Sequence, residues 1–105
     1  MIVSEHIVIG ESIRHNANQI LEEIQSGEKY KNIICYAVTT SFEEDSLMYV
    51  LSAVEFRQPF YHKGSLRLLG LAGSRKEAYE IVLNLVQEGY NRDSIHQMKQ
   101  YLENI

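Results

Sequence analysis

Residues Leu66 to Val86 read LRLLGLAGSRKEAYEIVLNLV, and the order of side chains in that stretch sets the fold class. Leu66, Leu68, Leu69 and Leu71 form an apolar run of strand length. Gly73 permits a sharp reversal after it, because a residue without a Cβ turns without steric cost. Ser74 stands three residues before Glu77, the spacing at which a serine and a glutamate cap a helix start together. Ala78, Ile81, Val82, Leu85 and Val86 then recur on one helical face. The stretch therefore predicts a buried strand, a tight turn and a capped amphipathic helix.

The same order recurs upstream. Ile2, Val3, Ile7, Val8 and Ile9 predict a first strand, and the polar Ser4, Glu5 and His6 within it suit a sheet edge. Gly10, Glu11 and Ser12 open a helix carrying Ile13, Ala17, Ile20, Leu21 and Ile24 at helical spacing, with Gly27 as its stop. Asn32 to Thr39 predicts a second strand. Its unbroken apolar run from Ile33 to Val38 is the pattern of a strand buried on both faces, which places it mid-sheet.

Ser41 and Glu44 have capping-box spacing, Glu43, Glu44 and Asp45 suit a positive helix end, and Leu47, Val50, Leu51 and Val54 share a helical face. A second helix is the expectation there, with a strand over Met48 to Phe56 as the alternative. Gln58 to Gly64 predicts a loop around Pro59, the only proline. Gly89 ends the third helix. Asn91 and Asp93 start a last one bearing Ile95, Met98, Leu102 and Ile105.

Three strand–helix units with short connections predict right-handed parallel crossovers. The expected architecture is α/β, β-α-β-α-β-α plus a C-terminal helix, around a small, mainly parallel three-stranded sheet. The alternative is α+β, with an antiparallel meander in residues 31–72. A chain of 105 residues, 45% apolar, is expected to form one domain with a real core. So small a sheet leaves a face or an edge open, and exposed edges favour pairing with another chain, so a homo-oligomer, a dimer, is expected.

Charge and composition narrow the function classes. The net charge of −4 disfavours a nucleic-acid binder. No apolar run approaches the ~20 residues that cross a bilayer. The first ten residues carry no Lys or Arg, so they lack the basic head of a secretory signal. The single cysteine, Cys35, cannot form an internal disulfide, which fits a reducing compartment. A cytoplasmic location without membrane contact is the expectation.

Parallel strands present their carboxyl ends to ligands. On the expected topology those ends are Gly10-Glu11-Ser12, Thr39-Thr40-Ser41 and Ala72-Gly73-Ser74, each leading into a helix N-terminus whose free N–H groups attract anions. Ser12, Thr40, Gly73, Ser74, Arg75 and Lys76 are therefore the candidate ligand-binding residues, for a phosphate- or carboxylate-bearing molecule. Plain capping and turn formation explain the same serines and glycines. No GxGxxG or GxxxxGK[ST] motif is present, which argues against a dinucleotide or nucleoside-triphosphate site.

From Phe56 to Lys76 there is no acid, and five cations give a local charge of +5 in an acidic chain. Phe56, Arg57, Phe60, Tyr61 and His62 are the candidate interface residues within that window, with ordinary core packing as the plain reading of the aromatics. Catalytic and metal-binding patterns are not recognisable. His6, His15, His62 and His96 are scattered, and one cysteine cannot build a structural zinc site, so no metal, cofactor or catalytic residue is assigned.

Two functions follow as expectations. The first is a non-catalytic protein-interaction or self-association module with a possible protein partner. The second is a small-molecule binder, or a modest enzyme, that recognises an anionic group at the strand ends.

Overall fold

The computed structural model describes residues 2–26, 35–43, 46–56, 66–88 and 95–105, except for the side chains of 24–26, 95 and 96. The expected stops at Gly27 and Gly89, the start of the second strand at 32–34, Glu44 and Asp45, the expected loop 58–64 and the helix-opening Asn91 and Asp93 lie outside the described residues.

The first strand, β1, covers Ile2–Ile9 and runs into a 3-10 helix, Glu11–Asn16, that continues as α1, Ala17–Ser26. A hairpin follows, made of β2, Tyr36–Thr40, and β3, Met48–Ser52. One helical turn, α2, Ala53–Phe56, comes next. The strand β4, Arg67–Ala72, then leads into α3, Arg75–Glu88, and the last described element is α4, Ile95–Asn104. The result is a small α/β domain with a four-stranded mixed sheet in the order β1-β4-β2-β3.

The expected parallel layout is corrected by the pairing. Only β1 and β4 are parallel; β2 is antiparallel to both β4 and β3. The cause is segment 47–56, where a strand forms in place of the expected helix. Tyr49 and Leu51 pack on one sheet face and Met48 and Val50 on the other, an alternation only an extended chain produces. Residues 31–72 are not a meander in sequence order either, because β4 lies on the far side of β2 from β3.

The Ser41 hydroxyl does not cap a helix. It accepts the N–H of Glu43 at 3.0 Å and turns the chain at the end of β2. The working capping box lies eleven residues on. The Glu55 N–H donates to Ser52 Oγ (3.3 Å), and the Ser52 N–H donates to Glu55 Oε1 (3.1 Å). That box stabilises α2 and seats Phe56 in the core.

Both sheet faces are covered. The 3-10 helix, α1 and α2 close one side, around Ile13, Ile20, Leu51, Phe56, Leu68 and Leu71. Helices α3 and α4 close the other, around Val38, Leu69, Ala78, Ile81, Leu85 and Leu102. The open sheet face expected from three strands is therefore not present; the open places of the described sheet are its edges.

Leu68, Leu69 and Leu71 reach opposite faces because β4 is bulged. Val38 pairs with Gly70 and Thr39 with Leu68, so Leu69 is an extra residue that resets the alternation. Gly70 closes the bulge beneath α3. A Cβ there would lie 2.9 Å from Ile81 Cγ2 and 3.2 Å from the Val8 carbonyl oxygen. Two contacts tie the ends of the chain to this frame. Ser4 Oγ donates to the Ile105 carbonyl at 2.5 Å, and Lys99 Nζ donates to the carbonyls of Ser41 and Glu43.

Because Gly70 meets backbone on one side and a packed branched side chain on the other, Gly70→Ala is expected to cost about 1–3 kcal/mol, the usual price of overpacking a core. Urea unfolding followed by circular dichroism checks this, and an unchanged midpoint would remove the close-approach account of Gly70.

Candidate functional site

The carboxyl ends of β1 and β4 lie side by side because the two strands are parallel. The Gly10 N–H donates to the Leu71 carbonyl (2.8 Å), and the Gly10 carbonyl accepts the Ile13 N–H (3.2 Å) as the chain enters the 3-10 helix. On the neighbouring strand, Gly73 and Ser74 lead directly into α3. Ser74 Oγ accepts the Glu77 N–H at 3.1 Å, the forward half of the expected capping box.

The return half goes elsewhere. The Glu77 carboxylate accepts the Gly73 N–H at 2.8 Å, the Ser12 hydroxyl at 2.7 Å and the Ser12 N–H at 3.3 Å. One side chain thus ties the start of α3 to the start of the 3-10 helix. These bonds favour the ionised form, and the Gly73 N–H, followed by the Ser12 hydroxyl, holds the Glu77 carboxyl below the usual range. The corner is tight on both sides. A Cβ on Gly10 would stand 2.0 Å from Glu77 Oε1, and one on Gly73 would stand 2.2 Å from Ser12 Oγ.

Of the candidate ligand residues, the structure brings together Ser12, Gly73 and Ser74. The anion they surround is Glu77 of the same chain. Thr40 is at the opposite end of the sheet, because β2 runs antiparallel to β4. It is buried there, and its hydroxyl accepts the Arg67 N–H at 2.9 Å. The three-cornered rim is therefore corrected to two corners.

Arg75 and Lys76 follow the corner but leave it. The Arg75 guanidinium lies over the Tyr36 ring, 5.6 Å from its centroid, and Tyr36 and Tyr79 together favour its charged state. Arg75, Lys76, Tyr79, Glu80 and Leu83 line an open hollow of about 470 Å³ on the outer side of α3. Tyr79 is 53% exposed and Leu83 56% exposed, whereas Ala78, Ile81 and Leu85 of the same helix are buried.

Sequence reasoning missed this flank. Its signal is a second i,i+4 apolar pair, Tyr79 and Leu83, placed off the stripe of residues 78, 81 and 85. The expected interface window divides differently. Phe56 is a core residue, 3% exposed, which corrects its assignment to an interface. Arg57, Phe60, Tyr61 and His62 lie outside the described residues.

Cys35 is buried, and among the described residues no three His, Cys, Asp or Glu side chains gather as a metal site. Among the same residues, no helix is long and apolar enough to cross a membrane. Comparisons with protein-family models, curated proteins and solved structures returned no match to this chain.

The lowered pKa of Glu77 has a defined sign. Its stabilising contribution is complete above the ordinary value of 4.5 and is lost as pH falls through the lower folded value. Glu77→Gln is expected to be less stable than the parent chain by about 1–2 kcal/mol near neutral pH, the scale of a lost helix cap. The gap narrows on acidification below about pH 4, where unfolded carboxylates protonate. Thermal melts of both chains from pH 7 to pH 3 check this, and a gap independent of pH would show that the carboxylate charge is not what holds the corner.

Proposed function

We propose that this domain acts by binding protein, without catalysis of its own, and that the outer flank of α3 is its docking face. One observation carries the reading. An aromatic and an aliphatic side chain, Tyr79 and Leu83, stand more than half exposed one helical turn apart, between the cations Arg75 and Lys76 and the acid Glu80. A rigid aromatic with a wet hydroxyl, an aliphatic neighbour and a flanking arginine is the composition of an interface centre rather than of ordinary surface. The flank is also held still. Ala78, Ile81 and Leu85 anchor the opposite side of the helix in the core, and Glu77 fixes its first turn. A preordered surface loses little entropy on binding.

The second expectation, an anionic small molecule at the strand ends, loses its main support. The donors of Ser12 and Gly73 that were to receive it already serve Glu77, and Thr40 is at the other end of the sheet.

A photoreactive benzoylphenylalanine at position 83 is expected to give discrete, higher-mass adducts when the chain is irradiated in the cells that produce it. The same residue at position 22, exposed on α1 across the sheet, is expected to give none. No adduct at position 83, or equal adducts at both positions, would remove the docking face.

A further inference from the structure

Building on the reading of the α3 flank as a docking face, and resting on it, we infer that the occupant is a second copy of the chain, which lays its own α3 antiparallel across the first.

The helical repeat of 3.6 residues orders the outward surface of α3. Ala78, Ile81 and Leu85 are buried against the sheet. Lys76 and Leu83 stand on the opposite side of the helix and point straight away from it. Tyr79 and Glu80 flank that line. Tyr79 lies on the side of Arg75, whose guanidinium covers Tyr36. Glu80 lies on the side of Glu77, whose carboxylate reaches Ser12. Lys76, Tyr79, Glu80 and Leu83 are all exposed, and with Arg75 they line the hollow.

The charges on this face complement themselves when the helix is reversed. Lys76 precedes Glu80 by one turn, which is the weaker order for a pair within a single helix. A second α3 laid antiparallel brings its acid to the first cation and its cation to the first acid. A parallel copy would set like charge against like, which opposes association. The macrodipoles of the two helices are also opposed in the antiparallel arrangement.

The apolar side chains fit the same arrangement. A two-fold axis at the level between Tyr79 and Glu80 sets Lys76 level with the second copy's Leu83. The methylene stem of each lysine then covers the other leucine, while its ammonium reaches the other Glu80. Tyr79 meets its equivalent beside the axis, on the Arg75 side of both helices. Aromatic and aliphatic groups thus occupy the centre and ion pairs the rim, as in protein interfaces generally. The patch that binds is the patch that is bound, so the assembly closes at two copies. Its extent is modest. Helix α3 has 14 residues and is about 21 Å long, so the contact is at the small end of specific interfaces and depends on concentration.

Exchange of charge tests this in the full chain. Sedimentation of the unmodified chain is expected to approach twice the mass of one chain as concentration rises. Lys76→Glu and Glu80→Lys each place like charges together, and each is expected to weaken self-association about tenfold or more. An equal mixture of the two variants is expected to recover the doubled mass, because each supplies the charge that the other lacks. Cysteines test the register with Cys35→Ala. Packed helices have axes about 8–10 Å apart, which brings residues facing each other beside the two-fold within disulfide range. Glu80→Cys is expected to become mainly a disulfide-linked dimer under mild oxidation. Asn84→Cys, whose two copies would lie roughly 13 Å apart along the helix axes, is expected to stay unlinked.

A mass of one chain at every concentration overturns the inference. A doubled mass that neither charge reversal lowers, or that the mixture does not recover, overturns the antiparallel α3 contact. Equal linkage at positions 80 and 84 overturns its register. If the mass stays single while position 83 crosslinks to a different protein, the docking face stands with another occupant. If position 83 gives no adduct, both fall.

Discussion

The β4 strand has structure against all four of its sides: β1 along one edge, β2 along the other, the Ile13–Phe56 core on one face and α3 on the other. Nothing large fits at every position of such a strand. Its sequence resolves the crowding with a bulge at Leu69 and a glycine at residue 70. The bulge lets Leu68, Leu69 and Leu71 divide between two faces, and the glycine brings α3 close enough for Ile81 to touch the sheet. The parallel alignment of β1 follows from the same strand, and so does the meeting of Gly10 with Gly73. The site is therefore a consequence of how β4 is packed.

Where two parallel strands end together, backbone N–H groups accumulate without partners, and something acidic must satisfy them. Many proteins leave that role to a ligand. Here Glu77 takes it, bonding to donors from both corners. A carboxylate on the chain itself is present at a far higher effective concentration than a dissolved anion, so a ligand must displace it before binding. The corner thus works as a structural joint. The same residues that suggested an anion site make a good joint, and only the position of one side chain separates the two roles.

Much of this was legible. The segment from Leu66 to Val86 folds as its pattern indicates, because the strand run, the glycine turn, the Ser74 cap and the buried stripe all agree. The interior place of the second strand was legible from its continuous apolar run. The segment from Ser41 to Phe56 was misleading, because two S-x-x-E spacings compete there and a helical and an alternating pattern overlap. Tyr49 and Val50 prefer extended backbone, and pairing with β2 decides the outcome, a contact no local window contains. Once β3 forms, β2 and β4 are antiparallel and Thr40 moves to the far end of the sheet. The Glu77 joint was half visible. The cap spacing was plain, but its bond to Ser12 spans 65 residues and depends on the parallel pairing.

The joint and the exposed flank lie on one helix, and this links fold to function. A helix on a sheet retains one rotational freedom about its axis, limited by how well its buried stripe interlocks. For α3 that rotation is fixed twice. Ile81 is lodged over Gly70, and one turn earlier the Glu77 carboxylate grips the 3-10 helix. Both restraints pull the same side of α3 toward β1. The opposite side, with Arg75, Tyr79 and Leu83, is turned outward over the hairpin as a result, and Arg75 is held against Tyr36. A charge held in capping bonds at one corner thereby sets the aim of an apolar pair on the far side of the same helix. The clasp leaves that pair exposed in one fixed direction, which is what the proposed docking face requires.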